Sequence, residues 1–250
     1  MKYLQKLNLQ ILLIASISLF SCSDNNDSEK TILTQSELLL NAYKTNSTEK
    51  LHSFFEEWES LSVPKTNEEI QSEPTEQIRA TYRIFEQFYD PFSLNQYGDS
   101  TRYPEVGNEF YKDTEFIVVQ NRINLTFDNY QVTEYITDFR PKCNLDNHKF
   151  VYLTDEYEKI LKDFLDDQLS WEEVWKRYEF LNKYTKISPG HWFGWHFETH
   201  PKVYGIDFNY GLDSARVDFR IRYEGGEATF ENSTTENSWE LQESHLTWIE

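Results

Sequence analysis

Only two cysteines, Cys22 and Cys143, occur among the 250 residues, so the fold must be held by its core and not by a disulfide framework. A chain of this length is ample for such a core. Methionine is confined to Met1 and only 8 glycines are present. The sequence contains no glycine-rich phosphate cradle, serine-centred elbow or paired-cysteine metal motif. Basic residues are scarce: 24 Lys and Arg stand against 43 Asp and Glu, a net charge of -19. Such a surface repels phosphate backbones and anionic headgroups alike, which argues against nucleic acid as a partner. Long apolar runs are missing too. The run over residues 7–20 is interrupted by Asn8, Gln10, Ser16 and Ser18, and falls short of the roughly 20 residues that a spanning helix needs.

Lys2 and Lys6 precede that run and Ser21-Cys22-Ser23-Asp24 follows it, the layout of a signal peptide. Leu19-Phe20-Ser21-Cys22 resembles the lipobox of bacterial lipoproteins. The resemblance implies cleavage before Cys22, a diacylglycerol on its sulfur and a further acyl chain on its amine. At about 0.8 kcal/mol per buried methylene, several chains form a durable membrane anchor. The competing reading is an ordinary secretory peptide followed by an incidental cysteine. Ser23, not aspartate, after the modified cysteine implies the outer membrane of a Gram-negative envelope. With Cys22 lipidated no intrachain disulfide remains, and Cys143 is expected to be a buried or half-buried thiol. The expected organisation is a signal peptide over residues 1–21, a polar tether over 22–35 and a single domain over 36–250. The stretch 23–30 is too polar to bury and is expected to be extended.

Aromatic residues are abundant, with 16 Tyr, 18 Phe and 7 Trp. Ring packing should dominate the core, although Tyr and Trp also suit saccharide or peptide binding, each having an apolar face and a polar edge. Three- and four-residue spacing of Leu51, Phe54, Phe55, Trp58 and Leu61 predicts a helix, as do Ile78, Tyr82, Phe85 and Tyr89. Two more follow the caps Thr154 and Ser170. Residues 116–119, 123–127, 130–139 and 150–153 read as strands. From residue 191 the period becomes two: Tyr204, Ile206 and Phe208 alternate, then Ala215, Val217, Phe219 and Ile221, with Glu224-Gly225-Gly226 as a hairpin turn. A parity change between Leu241 and Leu246 predicts a bulge.

These elements make an α+β domain, with a helical and mixed part over 36–190 packed on a curved antiparallel sheet that ends in a four-stranded meander over 191–250. Helices followed by a curved sheet ending in Trp248-Ile249-Glu250 resemble the nuclear-transport-factor-like, or cystatin-like, folds of envelope lipoproteins. The likeness covers mainly residues 192–250 and implies architecture, not a reaction.

Three of the six histidines fall within residues 191–200. On a strand, His196, Glu198 and His200 share a face, and imidazole with carboxylate is a usual ligand set for zinc or iron. Same-face neighbours lie nearly 7 Å apart, so convergence on one ion needs a bend. Otherwise these side chains hydrogen-bond within a partly polar pocket. His191, Trp192, Trp195, Arg220 and Arg222 are the pocket candidates. Arg216, Arg220 and Arg222 with Asp218 make a charged strand face suited to an anionic ligand or to solvent. No catalytic set is identified and no cofactor is called for. The expected role is non-catalytic binding of a small molecule, glycan or protein ligand, or envelope assembly, by a protein that meets the membrane through its lipid anchor. The alternative is a hydrolase- or isomerase-like enzyme using the His196, Glu198 and His200 face, with or without a metal.

Overall fold

The computed structural model describes residues 27–98, 107–127, 134–145, 147–166, 168–190, 194–233 and 238–249. Helices form where the apolar stripe and the cap agree. α1 (Asp27–Lys44) leads into α2 (Thr48–Leu61), whose first turn is closed by the Ser47 hydroxyl accepting from the Lys50 N–H at 3.2 Å. Leu51, Phe54, Phe55 and Trp58 line its buried face. α3 (Asn67–Gln71) opens on a reciprocal Thr66 and Glu69 capping box. α4 (Glu76–Phe88), α5 (Asp155–Phe164) and α6 (Trp171–Leu181) are capped by Thr75, Thr154 and Ser170. Among the described residues no helix is long and apolar enough to cross a membrane.

α1 begins inside the stretch expected to be extended. Residues 27–44 contain neither glycine nor proline and end with Lys44, a charge that suits the C-terminal end of a helix dipole. Gln35 and Leu39 are already buried.

β1 (Phe116–Gln120) and β4 (Lys149–Leu153) pair in parallel as a separate two-stranded sheet at the middle of the protein. Its alternate residues serve two cores. Phe116, Val118, Val151 and Leu153 pack with α2, α5 and α6, whereas Ile117, Val119 and Tyr152 pack with α4 and the large sheet. Burial on both faces is the usual condition of parallel strands. The Trp58 indole N–H donates to the Tyr152 carbonyl at 2.9 Å, and its ring stacks on Tyr157 with centroids 4.3 Å apart.

The large sheet contains β2 (Ile123–Phe127), β3 (Glu134–Ile136), β7 (Lys202–Phe208), β8 (Ser214–Ile221), β9 (Glu224–Ser233) and β10 (Ser238–Ile249), in the order β10-β9-β8-β7-β2-β3. β5 (Ser188–Pro189) and β6 (Trp195–His196) form a small separate ladder. β7 to β10 are the expected meander, and the fold is α+β. The sheet as a whole is mixed, not antiparallel, because β2 runs parallel to β7. Of residues 130–139, the strand covers only Glu134–Ile136, and 130–133 lie outside the described residues.

The hairpin between β8 and β9 turns at Arg222 and Tyr223, just before the expected Glu224-Gly225-Gly226. Arg222 takes the positive φ, 52°, that the first position of such a turn requires. Gly226 is instead needed inside the sheet. A methyl group there would lie 2.5 Å from Cζ of Phe219 and 2.6 Å from the His245 carbonyl oxygen. The bulge expected in β10 is present, with register shifts at Leu241/Glu243 and Leu246/Trp248.

Candidate functional site

Tyr204 does not share a face with Ile206 and Phe208 in the way that strict alternation implies. Val203 faces Phe219 across the β7–β8 ladder and Gly205 faces Asp218, so Tyr204 is the extra residue of a bulge. Val203, Ile206 and Phe208 are buried in the core, while the half-buried Tyr204 turns into the wall of a polar cleft of about 210 Å³. Parity held on each side of the bulge and broke across it.

β1, β2, β3, β4, β7 and α5 all contribute to this cleft. β1 and β2 are fastened to β7 by the buried Gln120 carboxamide: its oxygen accepts from the Val203 N–H at 2.7 Å, and its nitrogen donates to the Val203 carbonyl at 2.8 Å and the Arg122 carbonyl at 2.7 Å. Asn124 sits between its register partners Gly205 on β7 and Tyr135 on β3. Tyr135, 49% exposed, lines the same cleft from β3, with β2 between it and Tyr204 on β7. At the start of α5, Arg122 pairs with Asp155 at 2.9 Å and with Glu158, which also receives Lys162 at 2.6 Å. Burial alone would raise the Glu158 carboxyl, but Lys162 and Arg122 outweigh it and hold the group below its ordinary range. Glu198 and Lys202 form the remaining ion pair on the rim.

Behind Tyr204 lies a cluster of histidine and arginine. The Arg220 guanidinium carbon stands 5.3 Å from the centroid of the Tyr204 ring, a cation–π contact, and the same group donates to Nδ1 of His196 at 2.6 Å. A guanidinium can only donate, so His196 accepts at Nδ1 and, when neutral, carries its proton on Nε2. His200 is fixed in the opposite tautomer. Its Nε2 accepts from the Arg222 backbone N–H at 3.1 Å, which leaves the proton on Nδ1. The His200 backbone N–H donates to the Tyr111 hydroxyl at 3.2 Å, and the two histidine rings are 6.4 Å apart. Burial, reinforced by Arg220, pushes His196 down to about 4. Complete burial and the neighbouring His196, Arg220, Lys202 and Arg222 push His200 well below the ordinary histidine range. Both rings are therefore neutral at physiological pH. Among the described residues, Nε2 of His196 and Nδ1 of His200 have no hydrogen-bond partner.

Of the residues singled out in the sequence, His196, His200, Arg220 and Arg222 are brought together. Glu198 makes its ion pair with Lys202 on the cleft side but is near enough for its charge to favour the protonated form of His196, against the stronger effects of burial and Arg220. His196, Glu198 and His200 do not form one continuous strand face, since β6 stops at His196 and β7 begins only at Lys202. Among the described residues no three His, Cys, Asp or Glu side chains are placed to hold a metal ion. Arg222 leaves the expected charged strand face for the turn, and Arg220 is buried, while Arg216 lies 3.3 Å from Asp218 and 3.6 Å from Asp207. Trp195 is half-buried and stacks on Tyr178 of α6, 5.2 Å between centroids, away from the cleft. His191 and Trp192 lie outside the described residues.

Sequence reasoning missed Arg122, Asn124, Tyr135, Glu158 and Tyr204. One signal was available for the last: an isolated glycine within a strand pattern, here Gly205, marks a bulge. Two other hollows, of about 250 and 360 Å³, lie beside Phe127 and between Tyr43 and Lys183, and His196, His200, Arg220 and Arg222 line none of the three. No protein-family model matches this chain, and comparison with curated proteins and with solved structures gives no match.

Proposed function

We propose that this chain is a lipid-anchored protein of the cell envelope that binds a small polar ligand, without chemical turnover, in the cleft walled by Tyr204 and Tyr135. The bulge at Tyr204 carries the binding half of this reading. A bulge interrupts the ladder and re-aims one side chain, and here that side chain enters a cavity and is braced from behind by Arg220. A wall residue held by a second layer of contacts is what a pre-organised binding site requires.

The state of the histidines weighs against the enzyme alternative. A general base needs a free lone pair and a pKa near the working pH. Each neutral imidazole has one lone pair, and both are occupied, by the Arg220 guanidinium and the Arg222 N–H. Protonation of either ring is opposed by burial and by the surrounding cations. The anchoring half rests on the sequence over residues 19–22 and on the acidic surface, which leaves acyl chains as the means of membrane contact.

The test is expression of the full chain with labelled palmitate, followed by ligand screening in detergent. Label should enter the protein, and Cys22→Ala should abolish both labelling and membrane association. A thermal-shift screen should then find a ligand that raises the melting temperature, since binding to the native state alone stabilises it. Palmitate-free protein in the soluble fraction would overturn the anchor, and turnover of a screened compound would overturn the non-catalytic role.

A further inference from the structure

From the charge balance and shape of the Tyr204 cleft, we infer that its ligand is a neutral, hydroxyl-rich ring, a single saccharide unit held between Tyr204 and Tyr135. The inference rests on the cleft being a binding site and adds the chemical class of what it binds.

The lining carries four charged side chains, two of each sign, and all four are paired. Arg122 is held by Glu158 and Asp155, and Lys202 by Glu198. An anion approaching Arg122 or Lys202 would also face the carboxylates of Glu158 and Glu198, and a cation approaching those carboxylates would face Arg122 and Lys202. Neither sign meets a net opposite charge to offset its own desolvation. An apolar ligand would cover these same groups and strip them of water without replacing their hydrogen bonds.

A polyol avoids both penalties. A carboxylate has about four acceptor positions, so Glu158 and Glu198 can take hydroxyl donors while keeping their cations. The Asn124 carboxamide, on the lining and in register between Gly205 and Tyr135, has both a donor and an acceptor. Tyr204 and Tyr135 present apolar ring surface with a polar edge, which matches a sugar ring that has C–H groups on its faces and hydroxyls around its rim. The volume of about 210 Å³ would hold roughly seven waters at liquid density, the space of one six-membered sugar ring and not of a longer chain.

The experiment is saturation-transfer NMR and thermal shift on the full chain in detergent, with four sets of probes at equal concentration. These are neutral monosaccharides and their methyl glycosides, the anions acetate and phosphate, a diamine, and an aromatic hydrocarbon. The expected result is saturable binding of at least one neutral sugar that does not change between low and high salt. Tyr135→Ala, at a half-exposed ring, should weaken that binding at least tenfold without lowering the melting temperature appreciably. Tyr204→Phe, which keeps the ring, should retain most of it. Glu198→Gln should alter it less than Tyr135→Ala. If phosphate, acetate, the diamine or the hydrocarbon binds in a manner sensitive to Tyr135 while the sugars do not, the saccharide inference is wrong and the binding role stands. If sugars bind indifferently to Tyr135→Ala, the inference fails at this site. If no probe of any class binds, both fall.

Discussion

Arg220 and His196 are joined by a hydrogen bond of 2.6 Å in which the arginine is necessarily the donor. The imidazole is thereby held as an acceptor beside a permanent positive charge, and its own protonation is disfavoured. His200, fully buried 6.4 Å away, is held neutral in the same manner by the Arg222 N–H.

Acid should therefore destabilise the fold through these two rings. In the unfolded chain each takes a proton near pH 6.5, whereas folded His196 does so only at about 4 and burial holds folded His200 well below the ordinary histidine range. Between those limits the unfolded state binds more protons, so stability falls as pH is lowered from about 6.5 towards 4. His196 alone should account for on the order of 2 kcal/mol. Urea midpoints at pH 7.5 and 4.5 measure the slope, and His196→Gln combined with His200→Gln should flatten it. A double variant as pH-sensitive as the parent would place the effect in other groups.

Arg220→Met keeps the length of the side chain but removes its donors and its charge. Nδ1 of His196 then loses its partner, at a cost of about 1 to 3 kcal/mol. With the cation gone, the His196 pKa should move up towards the ordinary histidine value, read by NMR titration of the ring. Ligand binding in the cleft should weaken although Arg220 is not one of the lining residues, because Tyr204 loses the group that braces it. An unmoved His196 titration would show that burial alone sets it.

Gly226→Ala should be among the costly single-methyl changes in the protein. The added carbon meets a core ring at 2.5 Å and a backbone oxygen at 2.6 Å, and the backbone cannot move without breaking the pairing of β9 with β8 and β10. A loss of about 2 to 3 kcal/mol in urea unfolding is expected.

Cys143 should be chemically silent in the native protein. It is buried, its thiol lies 3.9 Å from the Pro141 carbonyl, and burial followed by the charge of Glu86 raises its pKa far above the ordinary thiol range. A disulfide reagent should leave it untouched under native conditions and titrate one thiol per chain in urea under the proposed lipidation of Cys22. Rapid native labelling would contradict the packing around it.

Much of the architecture was written in local pattern. The helices of Leu51 to Trp58 and Ile78 to Phe85 follow apolar spacing between side-chain caps, and the meander follows from alternation, down to the irregularity after Leu241. Elements of this kind are fixed by interactions within a few residues, and their signals survive in one dimension. Where two local signals compete, the reading was less secure. Gly225 and Gly226 resemble a turn, yet the close approach of Phe219 and His245 claims Gly226 for the sheet, and the turn passes to Arg222 and Tyr223.

The sequence by itself determined that this is an acidic α+β protein with an aromatic core and no disulfide framework, because composition and periodicity act at short range. It also brought His196, His200, Arg220 and Arg222 to notice, since a local concentration of histidine, and arginines alternating with apolar residues on a strand, stand out in one dimension. The tertiary structure alone decided that β2 lies parallel to β7, and with that contact came the cleft of Arg122, Tyr135, Glu158 and Tyr204. Residues about eighty positions apart in the chain meet there through backbone pairing that any side chains of suitable shape would permit, so no spacing in the sequence records it.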